Sequence, residues 1–377
     1  MTRALFVAPS GRFRGGVERH VHDLAVGLRE RGHEITLAVP EGAPCDDAFV
    51  APFTRVEPRA DLSKAARDVD VVYAHKPIVA GALVAAARVA PVFVAVHDHD
   101  LTCVRSHRYL PVSLEPCHRP PGVACVTHGC CVVRSAGPLK ISLKSPFALR
   151  ADLLRLADAA RFVAASQYLA DRLTDAGVAA ARVDVIHPAT RDEPSAAAPV
   201  PEARALLFVG QVVRGKGLDL LLRALPGLVG DLVVAGDGSG RAEAEALAKE
   251  LGVAARVRFL GAVAPAAMPA LYDAARVVVV PSRWPEPFGM VGVEAMRRGR
   301  LVVAARHGGI PEWLVEGRAG HGFHPGDVAD LADAVRRALD APDYAARAAA
   351  GAEVAASRLS FAHMVTEVER RVLGVRG

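Results

Sequence analysis

The strongest chemical signal is the run PSRWPEPFGMVGVEAM, Pro281 to Met296, directly behind the continuous apolar stretch RVVVV. It sets two carboxylates, Glu286 and Glu294, on either side of Phe288 and Gly289, where a helix is expected to open. A helix start offers unpaired N–H groups and the positive end of the dipole. The amides of Phe288, Gly289 and Met290 therefore suit a diphosphate or a sugar hydroxyl, and Glu294, about one turn further in, suits a ribose diol. A second run, FVGQVVRGKGLDLLLRAL from Phe208 to Leu225, again reads as strand, glycine-rich turn and helix. Gln211, Arg214, Gly215, Lys216 and Gly217 make up that turn. Its two cations are of the kind that neutralise a departing diphosphate, and its glycines let backbone approach closely.

Two further loops follow expected strands. Gly15 and Gly16 come after ALFVAP and before a helical pattern, without the GxGxxG spacing of a dinucleotide fingerprint, so a nicotinamide or flavin site is not supported. They still permit a phosphate or sugar to come close. His97-Asp98-His99-Asp100 ends the run VFVAVH, and the carboxyl end of a buried strand is where ligands of parallel sheets bind.

Cys103, Cys117, Cys125, Cys130 and Cys131 cluster in one loop-rich segment, with Cys45 apart. Such density in a chain otherwise poor in cysteine points to metal more than to disulfides. Structural zinc on Cys103, Cys117, Cys125 and Cys130, with Cys131 as a substitute, is one reading. Reduced thiols, disulfides or an iron–sulfur cluster are the others, because the gaps are not those of paired CxxC knuckles. The same segment carries Arg105, Arg108, Arg119, Arg134, Lys140, Lys144 and Arg150 against the single acid Glu115. That balance suggests a surface for an anionic acceptor, including a lipid-linked one at a membrane face.

The elements that must hold these residues are short apolar strands alternating with helical patterns, the mark of parallel sheets with crossover helices. ALFVAP, EITLAVP, DVVYAH, VFVAVH and RFVAAS form one series; ALLFVG, DLVVAG, RVRFLG, RVVVVPS and RLVVAA form another. Between them, residues 187–203 are rich in Pro, Ala and charge and read as a linker. The expected division is an N-terminal, acceptor-side domain over 1–186 with a cysteine-bearing insertion at about 101–135, a C-terminal domain over 204–355 and a closing helix over 356–377. Two domains suit 377 residues, since single cores stop growing at about 250–300 residues. The apolar window Pro77 to Val96 is broken by Arg88 and Pro91, so it reads as helix plus strand and not as a membrane span. MTRALFVAPSGRF lacks a secretory apolar core, which predicts a cytoplasmic protein, peripheral at the inner membrane surface if its acceptor is lipid-linked. A net charge of +5 favours anionic partners, but 5% aromatics leave few stacking platforms for nucleic acid.

Taken together, GGVE, the His97 strand end, GKGLDLL, VVAGDG, RVRFLG and EPFGMVGVEAM stand in the order found in family-4 glycosyltransferases of the GT-B fold, which the chain resembles over nearly its whole length. The resemblance implies two Rossmann-like domains facing each other across a cleft, with the C-terminal helix packing back toward the N-terminal domain. It also implies a retaining transfer from a nucleotide-diphosphate sugar without metal at the phosphates. Gly16, with Gly15 beside it, would line the donor diphosphate and His97 would sit by the transferred sugar. Arg214 and Lys216 would hold the phosphates, Glu286 the sugar hydroxyls, Glu294 the ribose, and backbone near Val263 the base. One departure stands out: arginine commonly follows the turn's first glycine, whereas Gly210 is followed here by Gln211, with Arg214 three residues on. The competing readings are another GT-B-type enzyme, such as an epimerase or a phosphorylase, and a non-catalytic nucleotide-sugar-binding partner subunit.

Overall fold

Strands buried along their full length need cover on both faces, and parallel sheets flanked by helices supply it. The computed structural model, which describes residues 1–58, 61–76, 80–134, 141–191 and 199–375, contains two such sheets. Pro77, Lys140 and positions 192–198 of the expected linker lie outside the described residues. The chain divides into one unit of Met1–Ser113, Cys117–Asp192 and Ser360–Gly377, and another of Leu114–Pro116 and Glu193–Leu359.

In the N-terminal unit the strands are β1 (Arg3–Val7), β2 (Glu34–Val39), β3 (Arg55–Pro58), β4 (Val71–His75) and β5 (Val92–Val96). After the insertion hairpin β6 (Val132–Arg134) and β7 (Ile141–Leu143) come β8 (Arg161–Ala164) and β9 (Val183–Val185). The main sheet runs β3-β2-β1-β4-β5-β8-β9, every pair parallel. The first crossover helix, Gly16–Glu30, buries Val21, Leu24 and Leu28 and is followed by Gly32 at φ +85°. The helix Phe361–Arg371 returns to this unit and buries Met364, Val365 and Val368 in the same core. Gly27 makes that close packing feasible, since a Cβ there would stand 2.9 Å from Phe361 and Val365. Burying three such side chains contributes about 1.5–3 kcal/mol each.

The C-terminal unit holds β10 (Leu206–Val209), β11 (Leu232–Ala235), β12 (Val257–Gly261), β13 (Val277–Val280), β14 (Leu301–Ala305) and β15 (Gly320–Phe323). They pair in parallel in the order β12-β11-β10-β13-β14-β15. Both sheets change direction beside their first strand, β1 lying between β2 and β4 and β10 between β11 and β13. Ligands of doubly wound sheets enter the crevice at such a switch point, outside the carboxyl ends. The loops after β1 and β4, and after β10 and β13, are therefore the ones to inspect. No helix among the described residues is long and apolar enough to cross a membrane.

Candidate functional site

In the C-terminal unit, the switch point joins the turn after β10 to the loop after β13. Gly217 sits at φ +70°, and a Cβ there would lie 1.9 Å from the Pro281 carbonyl oxygen, so only glycine lets the two segments touch. The Arg283 amide donates to the Gly215 carbonyl at 2.8 Å, and the Arg283 guanidinium pairs with Asp219. This lacing aligns Lys216 with Glu286: Nζ donates to Oε1 at 2.8 Å while lying 4.7 Å from the Trp284 ring centre. Ser282 donates its hydroxyl to the same carboxylate oxygen. Burial opposes ionisation of Glu286, but Lys216 and Ser282 outweigh it and hold the carboxyl below its ordinary range. The outcome is a buried, charged carboxylate with a half-buried ammonium beside it.

Arg214 and Gln211 are exposed on the same turn, and Gly215 is buried in it. The helix Met290–Arg297 opens at Gly289, whose φ of +89° turns the chain in. The Phe288 side chain belongs to the core, leaving only its backbone for a ligand; its carbonyl accepts from Trp313 Nε1 at 2.6 Å. Met290 packs partly buried behind it. Glu294 accepts from the Tyr272 hydroxyl at 2.6 Å. Val263 follows β12, half-buried against the same core. The structure thus brings Lys216 and Glu286 into contact and carries Glu294 on the helix just beyond.

In the N-terminal unit, Gly15 caps the Gly16–Glu30 helix and His97 follows β5. His97 does not stand alone. His75 Nδ1 lies 3.2 Å from His97 Nε2, and the His20 ring centre lies 4.9 Å from that of His97. Burial, followed by the neighbouring His20 and Lys76, pushes His97 well below the usual histidine range. Lys76, at φ +80°, pairs with Asp98 and donates to Asp100 Oδ2 at 2.8 Å. Sequence reasoning missed Ser282, Tyr272, His20, His75 and Lys76. His75 carried the same signal as His97, a histidine closing a buried strand.

All six cysteines are free thiols. Burial first, then Cys125 and Cys103, pushes Cys130 up to about 11, and Cys125 is raised by burial and by Cys103, Cys117 and Cys131. Among the described residues, however, no three of these cysteines are grouped closely enough to hold a metal ion as they stand. The basic segment around them faces outward at Arg119, Lys144 and Arg150 but not at Arg108. Arg108 is 2% exposed and donates to the carbonyls of Thr102, Cys117 and Arg119, while Arg105 donates to that of Val132. Arg108 holds the loop together from within, because buried carbonyls need donors, while Arg105 ties it at the surface.

Comparison with known proteins agrees with this layout. Family models described as "Glycosyltransferase Family 4" and "Glycosyl transferases group 1" match residues 14–193 and 191–354. D-inositol 3-phosphate glycosyltransferase 1 of Catenulispora acidiphila is 30% identical over 394 residues, covering 91% of this chain and 87% of the relative. The chain belongs to the family-4 glycosyltransferases of the GT-B fold. A second relative, the D-inositol 3-phosphate glycosyltransferase of Mycolicibacterium smegmatis, is 38% identical over 202 residues, but the match spans 49% of this chain and only 45% of the relative. The GT-B fold is seen again in Anabaena Alr3699/HepE in complex with UDP, at a TM-score of 0.73 and 22% identity over 99% of this chain and 100% of that one. The lipopolysaccharide outer core galactosyltransferase WaaB aligns at a TM-score of 0.70 and 15% identity over 99% of each chain.

Proposed function

We propose that the chain is a retaining glycosyltransferase that moves a sugar from a nucleotide-diphosphate sugar, held mainly by the C-terminal unit, to a hydroxyl of an acidic acceptor. The observation that carries this reading is the buried Lys216–Glu286 pair at the switch point between β10 and β13. Transfer needs positive charge where the departing diphosphate gains negative charge, and a fixed acceptor for the hydroxyls of a sugar that turns oxocarbenium-like. Lys216 and Arg214 supply the first; Glu286, kept ionised, supplies the second. Glu294 receives the ribose and His97, neutral, contacts the transferred sugar. Both carboxylates that a covalent mechanism would call on, Glu286 and Asp98, are already engaged by lysines. That favours front-face attack by the acceptor hydroxyl itself.

Uracil as the donor's base is supported by the HepE structure solved with UDP-glucose. A phosphorylated polyol as acceptor is supported by the names of the inositol phosphate relatives. The test is incubation with a panel of nucleotide sugars and D-inositol 3-phosphate, followed by NMR of the new anomeric centre. Retained configuration with stoichiometric nucleoside diphosphate supports the proposal, and inverted product refutes retention. A donor that raises stability without any transfer or hydrolysis would indicate a non-catalytic partner subunit; saturation at 100 times its Kd adds about 2.7 kcal/mol.

A further inference from the structure

His20, His75 and His97 come from three different elements, the Gly16–Glu30 helix, the end of β4 and the residue after β5, and converge in the N-terminal unit. One ring nitrogen from each lies within 4.8 Å of the other two, and no other described group of histidine, cysteine or acidic side chains is so compact. Hydrogen bonding does not explain the gathering. His75 and His97 share one contact, while His20 Nδ1 is buried without a partner among the described residues. Unpartnered buried polar atoms are uncommon and call for a physical reason.

We infer that these three imidazoles form a binding site for one divalent transition-metal ion of the zinc, cobalt and nickel class. Neutral imidazole nitrogens bind such ions at about 2.0–2.1 Å in tetrahedral geometry, which sets two ligand nitrogens roughly 3.4 Å apart. The 3.2 Å between His75 Nδ1 and His97 Nε2 matches that spacing before any ion arrives. His20, half-buried on its helix, brings a third ring nitrogen within 4.8 Å of both. The nearby charge is close to balanced: Asp98 and Asp100 share Lys76, while Asp23, near His20, is paired with Arg19. A cavity of about 10 Å³ lined by His20, His97, Tyr73 and Met364 adjoins the rings, room for one water-sized fourth ligand. Three protein ligands and one open position make a site that binds an exchangeable ligand rather than a closed structural one.

The inference shares His97 with the proposed glycosyl transfer, but its test is read without sugar or acceptor, so the two can fail separately. Full-length protein is stripped with a chelator under reducing conditions and titrated with Co²⁺. Imidazole-bound cobalt gives visible d–d absorption without the near-ultraviolet charge-transfer bands of cobalt thiolate, which separates this site from the cysteines. The expected result is about one equivalent of thiolate-free cobalt signal, abolished in His75→Ala and weakened at least tenfold in His20→Gln, with circular dichroism unchanged. His20→Gln is the variant that keeps the test decisive if His75→Ala unsettles the core. No thiolate-free signal in the wild type, or the same titration curve in wild type and folded variants, overturns the inference.

Discussion

Removing Lys216 from beneath Glu286 gives the sharpest energetic test of the switch-point geometry. At 2.8 Å and an effective dielectric near 20, the pair attracts by roughly 6 kcal/mol, from which desolvation subtracts much. Glu286 has a side chain 6% exposed and Lys216 one 22% exposed, so deleting the lysine strands the carboxylate in a site water barely reaches. Lys216→Met should cost about 3 kcal/mol, the lower end for breaking a buried pair. Glu286→Gln should cost less, because the lysine head can turn to solvent over Trp284. The double variant should recover part of the loss, with a coupling energy of about 2 kcal/mol. Both tryptophans of the chain, Trp284 and Trp313, belong to the C-terminal unit, so tryptophan fluorescence in urea reports on that unit alone. The pH dependence has a definite sign. The folded pKa of Glu286 lies below its unfolded value near 4.5, so the pair's contribution is complete above that value and fades as pH falls through the folded one. In Lys216→Met burial prevails and the folded pKa rises above the unfolded one. The gap between variant and wild type should therefore be widest near pH 7 and narrow on acidification. Additive single variants, with coupling below about 0.5 kcal/mol, would refute the reasoning.

Gly217→Ala should distort the contact with Pro281 and weaken binding of UDP-glucose at least tenfold in calorimetry; unchanged affinity would mean the turn does not shape the donor site. Arg214→Ala should damage turnover far more than Gln211→Ala if Arg214 supplies the charge displaced by the Gln211 departure, and steady-state kinetics in the reverse order would reject that role. For the cysteine segment we propose structural zinc on Cys103, Cys117, Cys125 and Cys130, with Cys131 as a substitute, whose sulfurs the ion would have to draw together. Elemental analysis should find about one equivalent bound to sulfur, whereas metal-free folded protein with every thiol titratable would refute it.

The sequence made the main strands legible because their apolar runs are unbroken: VVYAH in β4, VFVAV in β5 and RVVVV around β13 leave little choice. It hid β3, β9 and β15, whose residues are RVEP, VDV and GHGF, since charge or glycine erases the pattern and pairing with a neighbouring strand alone makes them strands. Glu286 and Lys216 were visible as chemistry on two loops; that they touch was not, because 70 residues separate them and only the adjacency of β10 and β13 joins them. Arg108 misled for a related reason: charge counted along a sequence says nothing of whether a guanidinium faces water or three carbonyls. His20 and His75 went unread because one lies within a helical pattern and the other ends a strand, each bland until the fold sets them beside His97.

We propose that the C-terminal unit holds a nucleotide-sugar donor through Lys216, Glu286 and Glu294. Isothermal titration of UDP-glucose, followed by the rest of the nucleotide-sugar panel, into wild-type protein, Lys216→Ala and Glu294→Ala tests it most directly. The account predicts saturable one-to-one binding of a nucleotide sugar to the wild type and a loss of at least tenfold in each variant, about 1.4 kcal/mol, with tryptophan fluorescence showing both variants folded. Absence of binding by every nucleotide sugar, or equal affinity in all three proteins, would contradict it.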